Sequence, residues 1–529
     1  MKHEPAPAGK PFDIEDMPAE TAMRGSEIEL KLLAGEDALD ALLASPLWQK
    51  AGRARDDKPL ISTYYDRDDF ALIEAGITLR VRQVDDRHVM TLKSDRHGGA
   101  GALSRGEWET VIAGAEPDLA LLPSDVPEEC AALVRGAPIK PVFRTEVRRR
   151  SLELGTSTGV VEVSADQGTI VVGRKRLPIA EIELELKEGR PEALFHTALD
   201  IASEHEVRIS VHSKSARGFE LAMDRPPSYS KSSNPNYAEH SSLDAAFATM
   251  LQSAYGDLLR NTAAARDGRD PEGLHQYRVA LRRLRSLLSL MKTEIDGPVF
   301  HGLRTEGKAL MSRLGAARDF DVFVTETLPA VHRDYPTLEG YPALEAIAGK
   351  LRTRAQKEVA AALDDPRTTR FLLNLGLWIE RRGWRSEATT EGSSKLDGEA
   401  AGFGKSIVGR LRAKALKRGR GFRHLLPDDR HQVRIAIKKL RYAYQFFRPL
   451  MDGSKKDRHF AKGLSKLQTA LGRHNDLVVM DKLLHRILAS GASSEAHLAA
   501  GFVLGRNAML FDGDDADLLK AWRRFKTAG

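Results

Sequence analysis

Glu27-Ile-Glu-Leu-Lys31 and Glu181-Ile-Glu-Leu-Glu-Leu-Lys187 decide the fold of the first half of this chain. In both, a charged residue stands at every second position with Ile or Leu between. Successive side chains of an extended strand point to opposite faces. Glu27, Glu29 and Lys31 therefore share one face, as do Glu181, Glu183, Glu185 and Lys187. The same period recurs in Ile77–Val84, where Arg80 and Arg82 share a face, in His88–Ser94 and in Gly159–Val172. Arg105, Glu107 and Glu109 share a face in Ser104–Thr110, and Lys93, Arg144, Glu162 and Lys214 occupy similar strand-like settings. These runs predict a mainly antiparallel β domain, with helices near 36–50 and 190–204.

Alternation of this kind is ordinary on a sheet with one face in water. Here the charged faces carry Glu and Arg clusters strand after strand. A closed barrel offers another arrangement, with apolar residues packed outside and charges lining the lumen. Such a lumen is costly unless its charges find partners. A polyphosphate accompanied by divalent metal supplies both signs. Mg²⁺ and Mn²⁺ prefer carboxylate oxygen, while Arg forks and Lys point charges match phosphate. Phosphoryl transfer asks mainly for positioning and charge neutralisation. The single cysteine, Cys130, rules out an intrachain disulfide framework and argues against a cysteine zinc site.

On these residues the segment 25–222 resembles the CYTH family, the triphosphate tunnel metalloenzymes. The carriers are Glu27-x-Glu29-x-Lys31, the Arg80/Arg82 pair, Lys93, Arg105 with Glu107 and Glu109, Arg144, Glu162, the Glu181–Glu185 carboxylates and Lys214, in the family's order. The resemblance implies an eight-stranded antiparallel tunnel that hydrolyses inorganic triphosphate with Mg²⁺ or Mn²⁺. By carry-over, Glu27, Glu29, Glu181, Glu183 and Glu185 hold the metal. Lys31, Arg80, Arg82, Lys93, Arg105, Arg144 and Lys214 hold phosphates. Glu29 and Lys31 carry the catalysis, Glu29 orienting the attacking water. Other activities of the family use the same motif: thiamine or nucleoside triphosphatase and adenylate cyclase. A non-catalytic polyphosphate-binding protein is the rival from another class.

The second half differs in both pattern and charge. Residues 1–238 hold 31 Lys+Arg against 40 Asp+Glu, and residues 239–529 hold 50 against 34, so a basic half suited to a polyanion follows an acidic one. Its segments have helical periodicity, and a motif recurs at an offset of 156: His275-x-x-Arg278-x-x-x-Arg282-Arg283-x-Arg285 and His431-x-x-Arg434-x-x-x-Lys438-Lys439-x-Arg441. Leu314-Gly-x-x-x-Asp319 and Leu471-Gly-x-x-x-Asp476 follow in the same order. This predicts a duplicated all-α unit, with repeats about 240–395 and 396–529. The offsets put the His and basic residues on one helix face. A solvated basic face is the plain alternative, but a duplicated cationic stripe calls for a polyanion.

These motifs resemble the CHAD domain over 240–529. The resemblance implies two pseudo-symmetric helical bundles and a basic channel for inorganic polyphosphate, contacted by the ten stripe residues just named. Few aromatics accompany the stripes, which disfavours nucleic acid. The Pro/Ser/Asn-rich segment 223–239 reads as a linker, and residues 1–24 as a flexible N-terminal tail. With no signal-peptide pattern and no long apolar run, the expectation is a cytoplasmic protein with no membrane partner; the CHAD resemblance implies that the helical half stations it at polyphosphate granules.

Overall fold

The computed structural model describes residues 28–50, 56–84, 86–94, 106–232, 235, 237–238, 240–451, 453–489 and 493–528. The alternating segments form one antiparallel sheet of nine strands: β1 (Glu29–Ala34), β2 (Asp56–Asp66), β3 (Ile77–Val84), β4 (Arg87–Ser94), β5 (Gly106–Ile112), β6 (Lys140–Thr156), β7 (Gly159–Val172), β8 (Lys175–Gly189) and β9 (Val207–Ser210). Their spatial order is β5-β4-β3-β2-β6-β7-β8-β1-β9. Nine strands stand where eight were expected. The additional one, β9, is four residues long, too short to show a period, and pairs with β1 on the side away from β8. Among the described residues no ladder joins the edge strands β5 and β9. The sheet is rolled around a cavity, and its first eight strands all contribute to the lining.

The apolar positions face outward, as the barrel reading required. Leu30, Leu32, Val161, Val163, Ile182 and Leu184 are fully buried against the helix Glu192–Glu204. Leu79, Val81, Met90 and Leu92 pack against the helix Glu128–Arg135, where Cys130 is buried. One end of the inner face is also apolar. There Leu60, Phe143, Val147, Ile170 and Ile179 surround Phe219 of the helix Lys214–Met223. Gly218 lets this plug helix approach: a methyl at that position would overlap the Phe143 ring.

The second half is helical, as expected. Helices starting at Leu243, Pro271 and Pro298 are followed by helices starting at Ala400, Pro427 and Lys455, at offsets of 157, 156 and 157. The sequence repeat is thus a repeat of whole helices. The two halves share one core. Phe195 and Tyr255 close on Gly376 of the helix Pro366–Glu380, where a side chain would collide with the Phe195 ring. Thr369 Oγ1 donates to the Val207 carbonyl at 2.9 Å, and Arg208 pairs with Asp364 at 3.0 Å. Among the described residues no helix is long and apolar enough to cross a membrane.

Candidate functional site

The rolled sheet encloses a cavity of about 560 Å³. The register explains which charges meet in it. Lys31 stands opposite Glu183 across β1 and β8, Glu183 opposite Ser164, and Asp166 opposite both Glu181 and Arg149. At the inner end these residues form an ion cluster. Lys31 Nζ lies 2.9 Å from Glu183 and 3.4 Å from Glu181. Lys214 Nζ lies 2.6 Å from Asp166 and 3.0 Å from Glu183, and it also pairs with Glu181. Arg149 forks onto Asp166 with two 2.7 Å bonds and reaches Glu183, and Arg217 pairs with Glu181. Asp166 and Glu181 are 0% exposed, so these cations are their stabilising partners in place of water.

The electrostatics follow from this packing. Burial pulls the Lys31 and Lys214 ammonium pKa values down, but the facing carboxylates outweigh it and hold both above their ordinary values. Burial pushes Glu181 and Glu183 up, and Lys214 and Lys31 overcome it, leaving Glu181 at about 2 and Glu183 well below the usual carboxylate range. Lys31, Lys214, Glu181 and Glu183 are therefore all charged near neutral pH.

Toward the other wall, Lys93 pairs with Glu107 at 2.7 Å, and Arg80 lies 3.5 and 3.4 Å from Glu107 and Glu109. Arg82 bonds Ser62 at 3.1 Å and, among the described residues, has no carboxylate within ion-pair distance. Burial, then the neighbouring Arg80 and Arg149, pull its pKa down to about 10. Among the described residues it is a cation without an ion-pairing carboxylate. The plug helix adds its N-terminus: Ser213 caps it by accepting from the Ala216 N–H at 3.1 Å, and Lys214, Ser215 and Ala216 line the cavity. An N-terminal first turn favours a bound anion.

Among the described residues, Asp166, Glu181 and Glu183 have carboxylate oxygens within 4.8 Å of one another. A second acidic row crosses three strands, Glu29 opposite Glu185 and Glu185 opposite Glu162. Lys187 bridges Glu185 and Glu162 at 2.7 and 3.6 Å, and Glu29 makes no ion pair among the described residues. Like charges directly opposite on a sheet repel. An all-oxygen donor set carrying this repulsion fits a hard divalent cation.

Of the expected tunnel residues, Glu29, Lys31, Arg80, Arg82, Lys93, Glu183, Glu185 and Lys214 line the cavity. Glu181 lies beneath it, its oxygens engaged by Lys31, Lys214 and Arg217. Glu27 and Arg105 lie outside the described residues. Two placements differ from expectation. Lys214 opens a helix rather than sitting in a strand. Arg144 lies on the outer face of β6, 54% exposed and paired with Glu146 at 2.6 Å. Phe143, Thr145 and Val147 are buried, and Arg149, on their parity, lines the cavity. Arg149, Asp166 and Arg217 are the residues that sequence reasoning missed.

The helical half holds a second cavity of about 510 Å³ between the helices Pro271–Leu290 and Pro427–Phe447. His275, Arg282, Arg283, Arg434, Lys438 and Arg441 line it. Burial and then Arg318 pull the His275 pKa down. The other four stripe residues point elsewhere. Arg278 turns to the Met311 carbonyl at 3.5 Å, Arg285 lies beside Gly307, His431 is exposed, and Lys439 belongs to another basic patch with Lys414 and Lys292. The side chain of Asp476 is outside the described set.

Residues 25–219 match the CYTH domain family and residues 249–485 match the CHAD domain family. A protein of Haemophilus influenzae described as an inorganic triphosphatase is 33% identical over 161 residues, 30% of this chain and 45% of that protein. The chain thus spans under half the length of that curated relative. Among solved structures, the CHAD domain of Ricinus communis is 34% identical and covers 55% of this chain and 96% of its own, with a TM-score of 0.47. A Hippeastrum protein described as having a dominant triphosphatase activity is 19% identical over 37% of this chain and 96% of its own, with a TM-score of 0.28. The chain carries a CYTH domain, an antiparallel sheet rolled into a tunnel, followed by a helical CHAD domain.

Proposed function

We propose that the tunnel hydrolyses inorganic triphosphate to pyrophosphate and phosphate with a divalent metal, Mg²⁺ or Mn²⁺, and that the helical half binds inorganic polyphosphate. The domains would be 25–222 and 240–529, joined by 223–239. The observation that carries the reading is the cavity's double lining, phosphate-binding cations on one wall and a row of opposed carboxylates on the other. An anion site alone has no use for the carboxylates. The curated relative's description as an inorganic triphosphatase supports the choice of substrate.

In this reading Arg82, Lys93, Arg80 and the plug-helix N-terminus hold the phosphate oxygens. Arg80 and Lys93 exchange Glu107 for substrate, while Arg82 gains a partner it lacks. Glu29, Glu185 and Glu162 would hold the metal, which would supply charge neutralisation on the phosphates. Glu29 also orients a water in line with the terminal phosphorus. The water oxygen forms the new bond as the anhydride bond breaks, pyrophosphate leaves, and the water's proton passes to the Glu29 carboxylate. Lys31 and Lys214 keep Glu183 ionised and in place.

The test is phosphate release from inorganic triphosphate, ATP and thiamine triphosphate side by side, with each metal. Inorganic triphosphate should be fastest, and Glu29→Gln should lower its turnover about a hundredfold or more. Faster release from ATP or thiamine triphosphate would reassign the substrate. Tight triphosphate binding without release from any of the three would make the tunnel a binding module.

A further inference from the structure

The segment between the halves borders both cavities. Ser228, Tyr229 and Ser230 line the tunnel cavity, and the next two residues, Lys231 and Ser232, line the helical one. Consecutive Cα atoms are about 3.8 Å apart, so at this point a single strap of chain separates the two. The strap is pinned. The Ser230 N–H donates to Asn261 Oδ1 at 3.0 Å, and Asn261 Nδ2 returns a bond to the Ser230 carbonyl at 3.1 Å. Asn261 is fully buried in the helix Leu243–Asp267. Its neighbour Arg260, set by a 2.7 Å pair with Asp257, lines the tunnel cavity from the helical half.

On the helical side, Ser232 Oγ and Arg282 Nε are buried and, among the described residues, have no hydrogen-bond partner. Buried polar atoms left unmet by the protein point to a ligand or solvent that meets them. On the tunnel side, Arg82 lacks an anionic partner among the described residues. Arg282, Lys231, Arg260 and Arg82 thus lead from one cavity over the strap into the other.

We infer that the two cavities form one polyanion path, in which a linear polyphosphate seated on the helical half lays its terminal phosphates over Lys231 and Arg260 into the tunnel. This rests on the tunnel being a phosphoanhydride site, and it makes linear polyphosphate the ligand class of the whole chain. A chain held in one cavity raises the effective concentration of its own end at the other, so affinity rises with length without any new contact.

The experiment is calorimetric titration of the full chain, with divalent metal chelated, using triphosphate and polyphosphates of increasing length. Short chains should fill two independent sites. Beyond a threshold length one chain should bind per protein, with affinity roughly a hundredfold or more above either site. Lys231→Glu should remove at least about tenfold of that gain, and Lys231→Arg should keep it. Two long chains per protein, or a gain unaffected by Lys231→Glu, would overturn the inference. So would an equal gain with single-stranded RNA of matched length. Phosphate release from triphosphate, measured with metal on the same preparation, reports separately on hydrolysis. Active release with two-chain binding sinks the path alone, and one-chain binding without release sinks the hydrolase reading alone.

Discussion

The tunnel and the helical cavity present nearly equal numbers of cations but differ in what faces them. Seven Lys and Arg side chains line the tunnel cavity together with six Glu. Six Lys and Arg side chains line the helical cavity, and among the described residues no carboxylate does. The tunnel is largely neutralised from within, so a ligand enters it by exchanging partners. In the proposed function a polyanion would bring phosphates for the cations, and a metal would take up the carboxylates. The described lining of the helical cavity offers no such carboxylate to exchange, so a polyanion there would add counter-charge to the cavity. The first arrangement suits chemistry on a small ligand held in one register. The second suits retention of a long one in many registers.

The largest expected contrast is in stability. Lys214 faces Asp166, Glu181 and Glu183. Lys214→Met leaves buried carboxylates short of a partner and should cost about 3–5 kcal/mol. Arg441 in the helical cavity has its pKa pulled down by burial and by Arg282. Arg441→Met should change stability by about 1 kcal/mol or less, or raise it. Denaturant titrations of the two variants check this. Equal losses would erase the distinction between a cation paired with buried carboxylates and Arg441, which makes no such pair among the described residues.

Salt should separate the cavities next. In the proposed function, polyphosphate binding to the helical half would release condensed counterions. With about six phosphate contacts, its affinity should fall roughly a thousandfold between about 50 and 200 mM salt. Triphosphate in the tunnel exchanges one set of close partners for another, and its affinity should fall far less. Titrations at three salt concentrations decide, and parallel slopes would break the comparison.

How much of this was legible beforehand depended on whether an inner face was charged or plugged. On β1, β3 and β8 alternation put the charged residues of each strand on one face, and the family resemblance then picked out Glu29, Lys31, Arg80, Arg82, Lys93, Glu183 and Glu185 as site residues. On β6 that logic inverted. Its inner face carries Phe143 and Val147 because the plug helix packs there; the family resemblance carried Arg144 over as a phosphate ligand, whereas Arg149 is the lining residue. The run Arg148–Arg150 held the signal, but choosing among three consecutive arginines requires the register with Asp166. Asp166 was visible as an acidic residue in β7, two positions beyond Ser164 on the Glu162 face. Arg217 is a helical residue one turn from Lys214, invisible while that segment was read as a strand. In the helical half the repeat was plain. Which stripe residues converge depends on the helix pairing, which leaves Arg278, Arg285, His431 and Lys439 outside the cavity.

A smaller effect should come from His275. Burial, then Arg318, lower its folded pKa below the ordinary 6.5, so it is neutral at pH 7. Its contribution to stability is therefore present above about 6.5 and lost as pH falls through the lower folded value. A bound polyanion favours the protonated ring, so binding takes up a proton, and polyphosphate affinity should rise several-fold as pH drops from about 7.5 to 6. His275→Gln should flatten that rise. A wild-type affinity independent of pH would remove the ring from the contact surface.

The smallest expected effect tests the tunnel's geometry. Arg144 and Arg149 are both arginines on β6, and the family resemblance favoured the first. Arg144 pairs with Glu146 on the outer face at high exposure, where an ion pair contributes about 0–1 kcal/mol. Arg144→Ala should leave stability within about 1 kcal/mol and leave triphosphate turnover near wild type, because nothing it touches reaches the cavity. A loss comparable to that of Arg149→Ala would mean that the inner face of β6 is defined by the even positions, and the assignment of Phe143 and Val147 to the plug would fall with it.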